Sequence, residues 1–237
     1  MSPKNLIIVA RYNEDIEWTK ELDGDILIYN KGNDWPWEDI PKIDTENYGR
    51  EGETFVRAII EFYDQIDDYE NVVFLQGNPQ EHCKDFIQQI NNLKSKNYIK
   101  LCDFFTIDKY PENYYIFNVH LSIISILLQV KDDNFKAYVE DRNPNKSERK
   151  PTYDNFFLLE ETMGLCTILG IDYNNKTCEW ANGAQYIIPS NYIKNKTLEW
   201  WKNLHQIFEY LSYHRKIESW SYALERIWPL IWEHSDS

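Results

Sequence analysis

Cysteine is scarce in this chain, and what there is does not pair. Cys83, Cys102, Cys166 and Cys178 include no C-x-x-C spacing, and no histidine stands at finger spacing from a cysteine pair. That argues against a zinc site, and no metal-ligating set is singled out. Four scattered cysteines among 237 residues fit a reducing compartment. Positive charge is also short: 25 Lys and Arg stand against 39 Asp and Glu, for a net charge of −14. A field of that sign repels nucleic acid and anionic membrane surfaces, so neither is expected as a partner. It leaves room for a local basic pocket for a phosphate, although solubility alone accounts for the acidity.

Long apolar runs are missing as well. The most apolar stretch, 115–130, is interrupted by Asn118, His120, Ser122, Ser125 and Gln129. A bilayer takes about 20 consecutive apolar residues, so no transmembrane segment is expected. The start, MSPKNLIIVARYNED, runs into a strand pattern without a basic region followed by a long apolar one. It reads as having no signal peptide, and the expected location is cytoplasmic. Three N-x-[ST] sequons, at Asn145, Asn175 and Asn195, then read as accidents of an Asn- and Lys-rich composition. G-x-G-x-x-G, the Walker A string, H-E-x-x-H and G-x-S-x-G are all absent. Those absences set aside standard dinucleotide enzymes, P-loop NTPases, zinc proteases and typical α/β hydrolases.

What is present is apolar and aromatic material, 43% and 16% of the chain, enough for a packed core. The organising stretch is Asn71 to His82, NVVFLQGNPQEH. Val72 to Leu75 form a short continuous apolar run, the pattern of a strand buried on both faces. It stops at Gln76-Gly77-Asn78-Pro79, a cluster of turn formers. Ligands in open α/β sheets sit beyond the carboxyl ends of strands, which makes Gln76, Gly77 and His82 candidates. An ordinary central strand with a polar turn looks the same.

Leu6 to Ala10 is a second buried strand, ending in Arg11-Tyr12-Asn13-Glu14-Asp15. An arginine and two carboxylates there suit a nucleotide or a metal; equally, Glu14 and Asp15 suit the first turn of a short helix at 16–22. Asp25 to Tyr29 is the next strand. Residues 33–53, with Trp35, Pro36, Trp37, Pro41, Gly49 and Gly52, read as a loop. A helix is predicted from Thr54, with Phe55, Ile59 and Ile66 on one face. Arg50, in Asn47-Tyr48-Gly49-Arg50-Glu51, then falls just before a helix N-terminus, a good anion seat. The plain alternative is a surface pair with Glu51 or Glu53. Helices are predicted over 85–93, 116–130 and 156–169, a loop at 110–115, and a long loop suited to a lid over 131–154. Ala184 to Pro189 reads as a strand. Two amphipathic helices close the chain, one lined by Leu198, Trp201, Leu204, Phe208 and Leu211. The other is lined by Ile217, Trp220, Leu224, Ile227 or Trp228 and Ile231, with Pro229 bending its end.

The strings IIVARYNEDIEW, ILIYNKG, NYGREGETFVRAIIEFYD, VVFLQGNPQEH, ANGAQYIIPSNYI and YALERIWPLIW, in that order, resemble a widespread family common in fungi and known only as a domain of unknown function. The resemblance runs from Ile7 to about Trp232 and is weakest across 95–175. Such proteins look distantly like nucleotide-sugar glycosyltransferases of the A-type fold, and capsule and rhamnan synthesis proteins also carry N-x-G-R-[DE] before a helix. The resemblance implies a glycosyltransferase A-like, mainly parallel sheet flanked by helices. The whole of 1–237 would be one α/β domain, with 195–235 as a helical pair packed on it. It implies a nucleotide sugar and a glycan or other hydroxyl acceptor as partners. A divalent metal, Mn²⁺ or Mg²⁺, is possible on that likeness, but the expected D-x-D is absent. Leu75-Gln76-Gly77 stand in its place, and Asp23-Gly24-Asp25 precedes a strand instead of following one.

Sugar transfer needs a cation for the departing diphosphate and a carboxylate or His as base. Arg11 and Arg50 are the expected cations, His82 and Glu225 the expected bases, and Gln76 and Gln185 the expected hydrogen-bond partners of the sugar. Asn13, Asp15, Asn47, Glu51 and Gly77 complete the expected binding set. A non-catalytic relative that binds a glycan or nucleotide sugar, or an α/β scaffold, is compatible with the same residues. All versions of the site require Arg11–Asp15, Asn47–Glu51, Gln76–His82 and Gly183–Gln185 to meet in one cleft, with Glu225 approaching from the closing helix. The helix after Glu51 opposes this: packed back on the sheet, it would start on the wrong side unless the loop 33–53 reverses it.

Overall fold

A computed structural model describes residues 4–34, 39–93, 99–101, 104–107, 165–166, 168–171, 178–214 and 219–233. The predicted elements at 110–115, 116–130 and 131–154, and most of 156–169, lie outside them. The six-stranded sheet runs β3-β2-β1-β4-β8-β5. Its members are β1 (Asn5–Arg11), β2 (Asp25–Asn30), β3 (Lys42–Asp44), β4 (Asn71–Gln76), β5 (Ile99–Lys100) and β8 (Tyr186–Pro189). β1 pairs in parallel with β2 and β4, and β2 with β3. β8 runs antiparallel to both β4 and β5. The architecture is therefore α/β around a mainly parallel mixed sheet. A separate two-stranded ribbon joins β6 (Phe104–Ile107) to β7 (Cys178–Ala181).

The four strands expected from sequence lie in this one sheet. Their apolar runs are continuous because both faces are covered. Ile7, Val9, Val73 and Leu75 meet Phe86 and Ile90 of α2 (Phe86–Asn91) on one side. Leu6, Ile8, Val72 and Phe74 meet α1 (Arg50–Phe62), α4 (Leu198–Phe208) and α5 (Ser219–Glu233) on the other. A short α3 (Ser190–Lys194) links β8 to α4.

Three expectations need correction. The stretch 33–53 is not all loop, because Lys42–Asp44 adds β3 to the edge of the sheet. α1 starts at Arg50, not Thr54, because Gly49 takes the left-handed conformation that caps it. The strand predicted from Ala184 starts at Tyr186.

The closing helices are held to the sheet by aromatic rings. Phe74 of β4 contacts Phe55 of α1 at 4.9 Å and stacks on Trp232 of α5 at 6.3 Å. Trp228 stacks on Trp232 at 4.9 Å, and Trp201 of α4 meets Trp232 at 5.7 Å. Trp228 is 1% exposed. Trp228→Ala is expected to cost about 3–5 kcal/mol in urea unfolding, the range for deleting a buried tryptophan. A loss below about 1 kcal/mol would show that the indole lies outside the core.

Candidate functional site

The strand order reverses at β1. From β1 the chain moves to β2 and β3 on one side, and later returns to place β4 on the other. A crevice forms at the carboxyl ends of such a pair, because the loops leaving them part in opposite directions. Here it is a cleft of about 490 Å³, lined by Arg11, Tyr12 and Glu14 after β1, by Asn47–Glu51 before and within α1, and by Gln76, Gly77, Asn78 and Glu81 after β4.

β3 resolves the conflict over α1. Because β3 runs parallel to β2, the helix that follows it starts at the same edge of the sheet as the carboxyl ends of β1 and β4. The start of α1 is built from two successive left-handed residues, Gly49 (φ 62°) and Arg50 (φ 52°). A Cβ at Gly49 would sit 2.5 Å from the Cβ of Glu53. Lys31, which follows β2, grips this turn: its Nζ donates to the carbonyls of Tyr48 and Arg50 and to Glu53 Oε2, each at 2.7 Å. Burial lowers the Lys31 pKa, against the pull of Glu53. Glu53 is fully buried, and besides Lys31 it meets Arg57 Nε at 2.8 Å and His205 Nε2 at 2.9 Å. Burial pushes its carboxyl up, but His205, Lys31 and Arg57 together hold it down at about 2.

Arg50 has a side chain 48% exposed, 3.6 Å from Glu51 and packed over the Tyr222 ring at 4.7 Å, with a hydrogen bond to the Tyr222 hydroxyl. The surface pairing with Glu51 is thus present, and so is the placement on the cleft. Arg11 is buried and turned to protein acceptors: Asn30 Oδ1 at 2.5 Å, the carbonyl of Asn33 at 2.7 Å and that of Glu14 at 3.0 Å. It clamps the loops after β1 and β2. Asn13 accepts the Asn33 N–H at 2.9 Å, and Asp15 accepts the Glu17 N–H at 3.0 Å, starting the 3₁₀ turn Glu17–Glu21. Neither lines the cleft, and Asp15 follows the helix-start alternative.

The fourth segment adjoins the cleft from behind. Gly183 (φ 72°) packs so closely on Gln76 that a Cβ would fall 2.8 Å from Gln76 Oε1. Its N–H donates to Glu225 Oε1 at 2.6 Å. Burial, then the Glu51 carboxylate, push Glu225 up to about 7, against Gly183, Arg226 and Arg50. Gln185 does not reach the cleft; it is fully buried, with Nε2 3.5 Å from the Pro79 carbonyl. His82 caps the 3₁₀ turn Pro79–Glu81 and is not part of the cleft wall, although Glu81 before it is.

Sequence reasoning missed Lys31 as a site-forming residue, named Tyr48 only as part of Asn47–Glu51, and took Glu53 only as a surface partner of Arg50. Lys31 carried a signal in its place directly after a buried strand. Glu53 carried none, since an acid in the first turn of a helix is normally solvated. A divalent metal does not fit these residues. Gln76, Gly77 and Asn78 follow β4, and no group of three His, Cys, Asp or Glu among the described residues is placed to hold an ion. Nor is any described helix long and apolar enough to cross a membrane.

Glu225 gives the site a pH signature. Its carboxyl is held neutral to about 7 in the folded protein, against 4.5 when unperturbed. The stability gained from that proton is complete below the lower value and is lost as pH rises through the upper one. Urea unfolding of the native protein against Glu225→Gln is expected to show a difference that changes by about 3 kcal/mol between pH 4 and 8. A difference independent of pH would mean that Glu225 is solvated. Comparisons of the chain with protein-family models, curated proteins and solved structures found no match, so the meaning of this cleft rests on its own residues.

Proposed function

We propose that the protein is a glycosyltransferase that binds a nucleoside diphosphate sugar in this cleft and moves the sugar to a hydroxyl acceptor, with the sheet as the nucleotide-binding core of an A-type fold. The observation carrying the reading is that three segments far apart in sequence meet at the switch point, one of them presenting Arg50 at the N-terminus of a thirteen-residue helix. A diphosphate leaving group needs positive potential, and a guanidinium at a helix N-terminus supplies it without a metal. Arg11 acts one step back, by fixing the loop on which the ligand lies. Asn47, Gln76 and Asn78 offer amides to sugar hydroxyls. Of the two expected bases, Glu225 is the one beside the cleft, with a pKa near the working pH. In the transfer, the acceptor oxygen bonds to the anomeric carbon and gives its proton to the base. The bond from that carbon to the phosphate oxygen breaks, and its electron pair leaves with the diphosphate.

A second reading has its own support. Arg11 and Lys31 are turned to protein acceptors, whereas Glu14, Glu51 and Glu81 all line the cleft. That balance favours an uncharged glycan bound without transfer.

A thermal-shift and calorimetric screen of UDP-, GDP- and dTDP-sugars separates these readings. Stabilisation by one nucleotide sugar is expected, and Arg50→Ala should weaken its binding by about 10–100-fold while leaving the unfolding midpoint within a few degrees. Normal donor binding by that variant would remove Arg50 from the role. Response to free glycans alone would establish the second reading, and no response to either would leave a scaffold.

A further inference from the structure

The turn after β1 holds two side chains that the roles above do not use. Tyr12 is 51% exposed, the one large hydrophobic side chain so exposed among the described residues, and it lines the cleft. Glu14 stands two residues on. Its Oε2 accepts the N–H groups of Tyr12 at 2.6 Å and Asn13 at 3.1 Å, so its own turn fixes the carboxylate. The other oxygen, Oε1, is given no hydrogen bond by the described residues.

Gly77 shows how tightly that carboxylate is placed. A Cβ at residue 77 would fall 2.4 Å from Glu14 Oε2, 2.7 Å from Cδ and 3.0 Å from Cγ. The Glu14 side chain thus fills the space that a side chain after β4 would take, so a side chain at residue 77 would displace the carboxylate. Gly77 is fixed from below. Its carbonyl accepts Trp18 Nε1 at 3.2 Å, and Trp18 stands edge-on to Phe86 at 5.0 Å. Arg11 holds the Glu14 carbonyl from the other side at 3.0 Å. A carboxylate preorganised by two strand tips, open at one oxygen and next to an exposed ring, suits a ligand with adjacent hydroxyls and an apolar C–H face.

We propose that Tyr12 and Glu14 form a saccharide subsite, in which Glu14 accepts hydrogen bonds from pyranose hydroxyls and the Tyr12 ring packs against the C–H face of the same ring. The subsite gives the proposed sugar transfer its sugar-reading element and rests on that reading only for the diphosphate end of the ligand. Gln76 and Asn78, on the neighbouring tip, complete a polar wall for the remaining hydroxyls.

Calorimetry on the full chain tests this with UDP, GDP, UDP-glucose, GDP-mannose, glucose and mannose as probes. Glu14→Gln and Tyr12→Ala are each expected to weaken the sugar-bearing ligand that binds by about tenfold or more, while the affinity for the bare nucleoside diphosphate stays within about twofold. Gly77→Ala, which displaces Glu14 without removing it, should reproduce Glu14→Gln; if it does not fold, the other two variants decide. Binding of a free monosaccharide that Glu14→Gln abolishes, with no nucleotide bound by the native protein, would sustain the subsite and end the transferase reading. The subsite is overturned if Glu14→Gln and Tyr12→Ala bind the sugar-bearing ligand as the native protein does. The same holds if they weaken the bare diphosphate equally, or if the native protein binds no saccharide in any form.

Discussion

The cleft depends on one buried carboxylate. Glu53 lies in the first turn of α1 with no exposed surface, and an isolated charge in that position would cost several kcal/mol. Three cationic or hydrogen-bonding groups compensate it, each from a different part of the chain: Lys31 from the end of β2, Arg57 one helical turn on, and His205 from α4. The consequences run outward. Lys31, drawn in by Glu53, has two donors left for the Tyr48 and Arg50 carbonyls, and those bonds hold the left-handed turn that starts α1. Arg57 reaches on to the Tyr48 hydroxyl at 2.8 Å. The wall that presents Arg50 and Glu51 is thus set from beneath by an ion network, and α4 is tied to the same point.

The sheet was readable where burial on both faces forces continuous apolar runs, as in β1, β2 and β4. β3 was not readable for the same reason. Lys-Ile-Asp is three residues long, with both charged ends exposed, and shows neither a run nor a period. Missing it produced the false conflict about which way α1 faces. The direction of β8 was equally hidden. Side chains alternate with a period of two whichever way a strand runs, so the pattern in Tyr186–Pro189 states burial and says nothing of polarity. The start of α1 was misplaced because its cap is a left-handed glycine with no side-chain bond, not the Ser, Thr, Asp or Asn that marks most helix starts.

At the site, position was legible and use was not. Polar residues gathered after apolar strands marked the tips of β1 and β4, and the structure brings these together with Asn47–Glu51. Which donors remain available depends on carbonyls that sequence does not locate. Arg11 reads as an anion ligand, yet the oxygens of Asn30, Asn33 and Glu14 surround its guanidinium. His82 reads as a base beside Gln76, yet it closes the turn opened by Pro79 and does not line the cleft. Glu225 and Gly183, 42 positions apart, meet only because α5 packs over the loop before β8. Glu14 was read only as one of two carboxylates after β1 and Tyr12 was not singled out; the placing of Glu14 depends on Gly77, a residue with no side chain to suggest it.

The reversed direction of β8 has a further effect. β5 ends, and β8 begins, at the same rim of the sheet as the cleft, where the Leu101 N–H donates to the Gln185 carbonyl at 3.0 Å. Leu101 and Gln185, the described residues on either side of the connection between β5 and β8, therefore lie at neighbouring points of that rim. Between them, Leu165, Cys166 and Ile171 are buried in the core shared with α4 and α5, and β6 pairs with β7. The approach to β8 is closely held. Gly183 packs on Gln76 and donates its N–H to Glu225. A pull on the chain just before β8 is therefore felt first at the cleft.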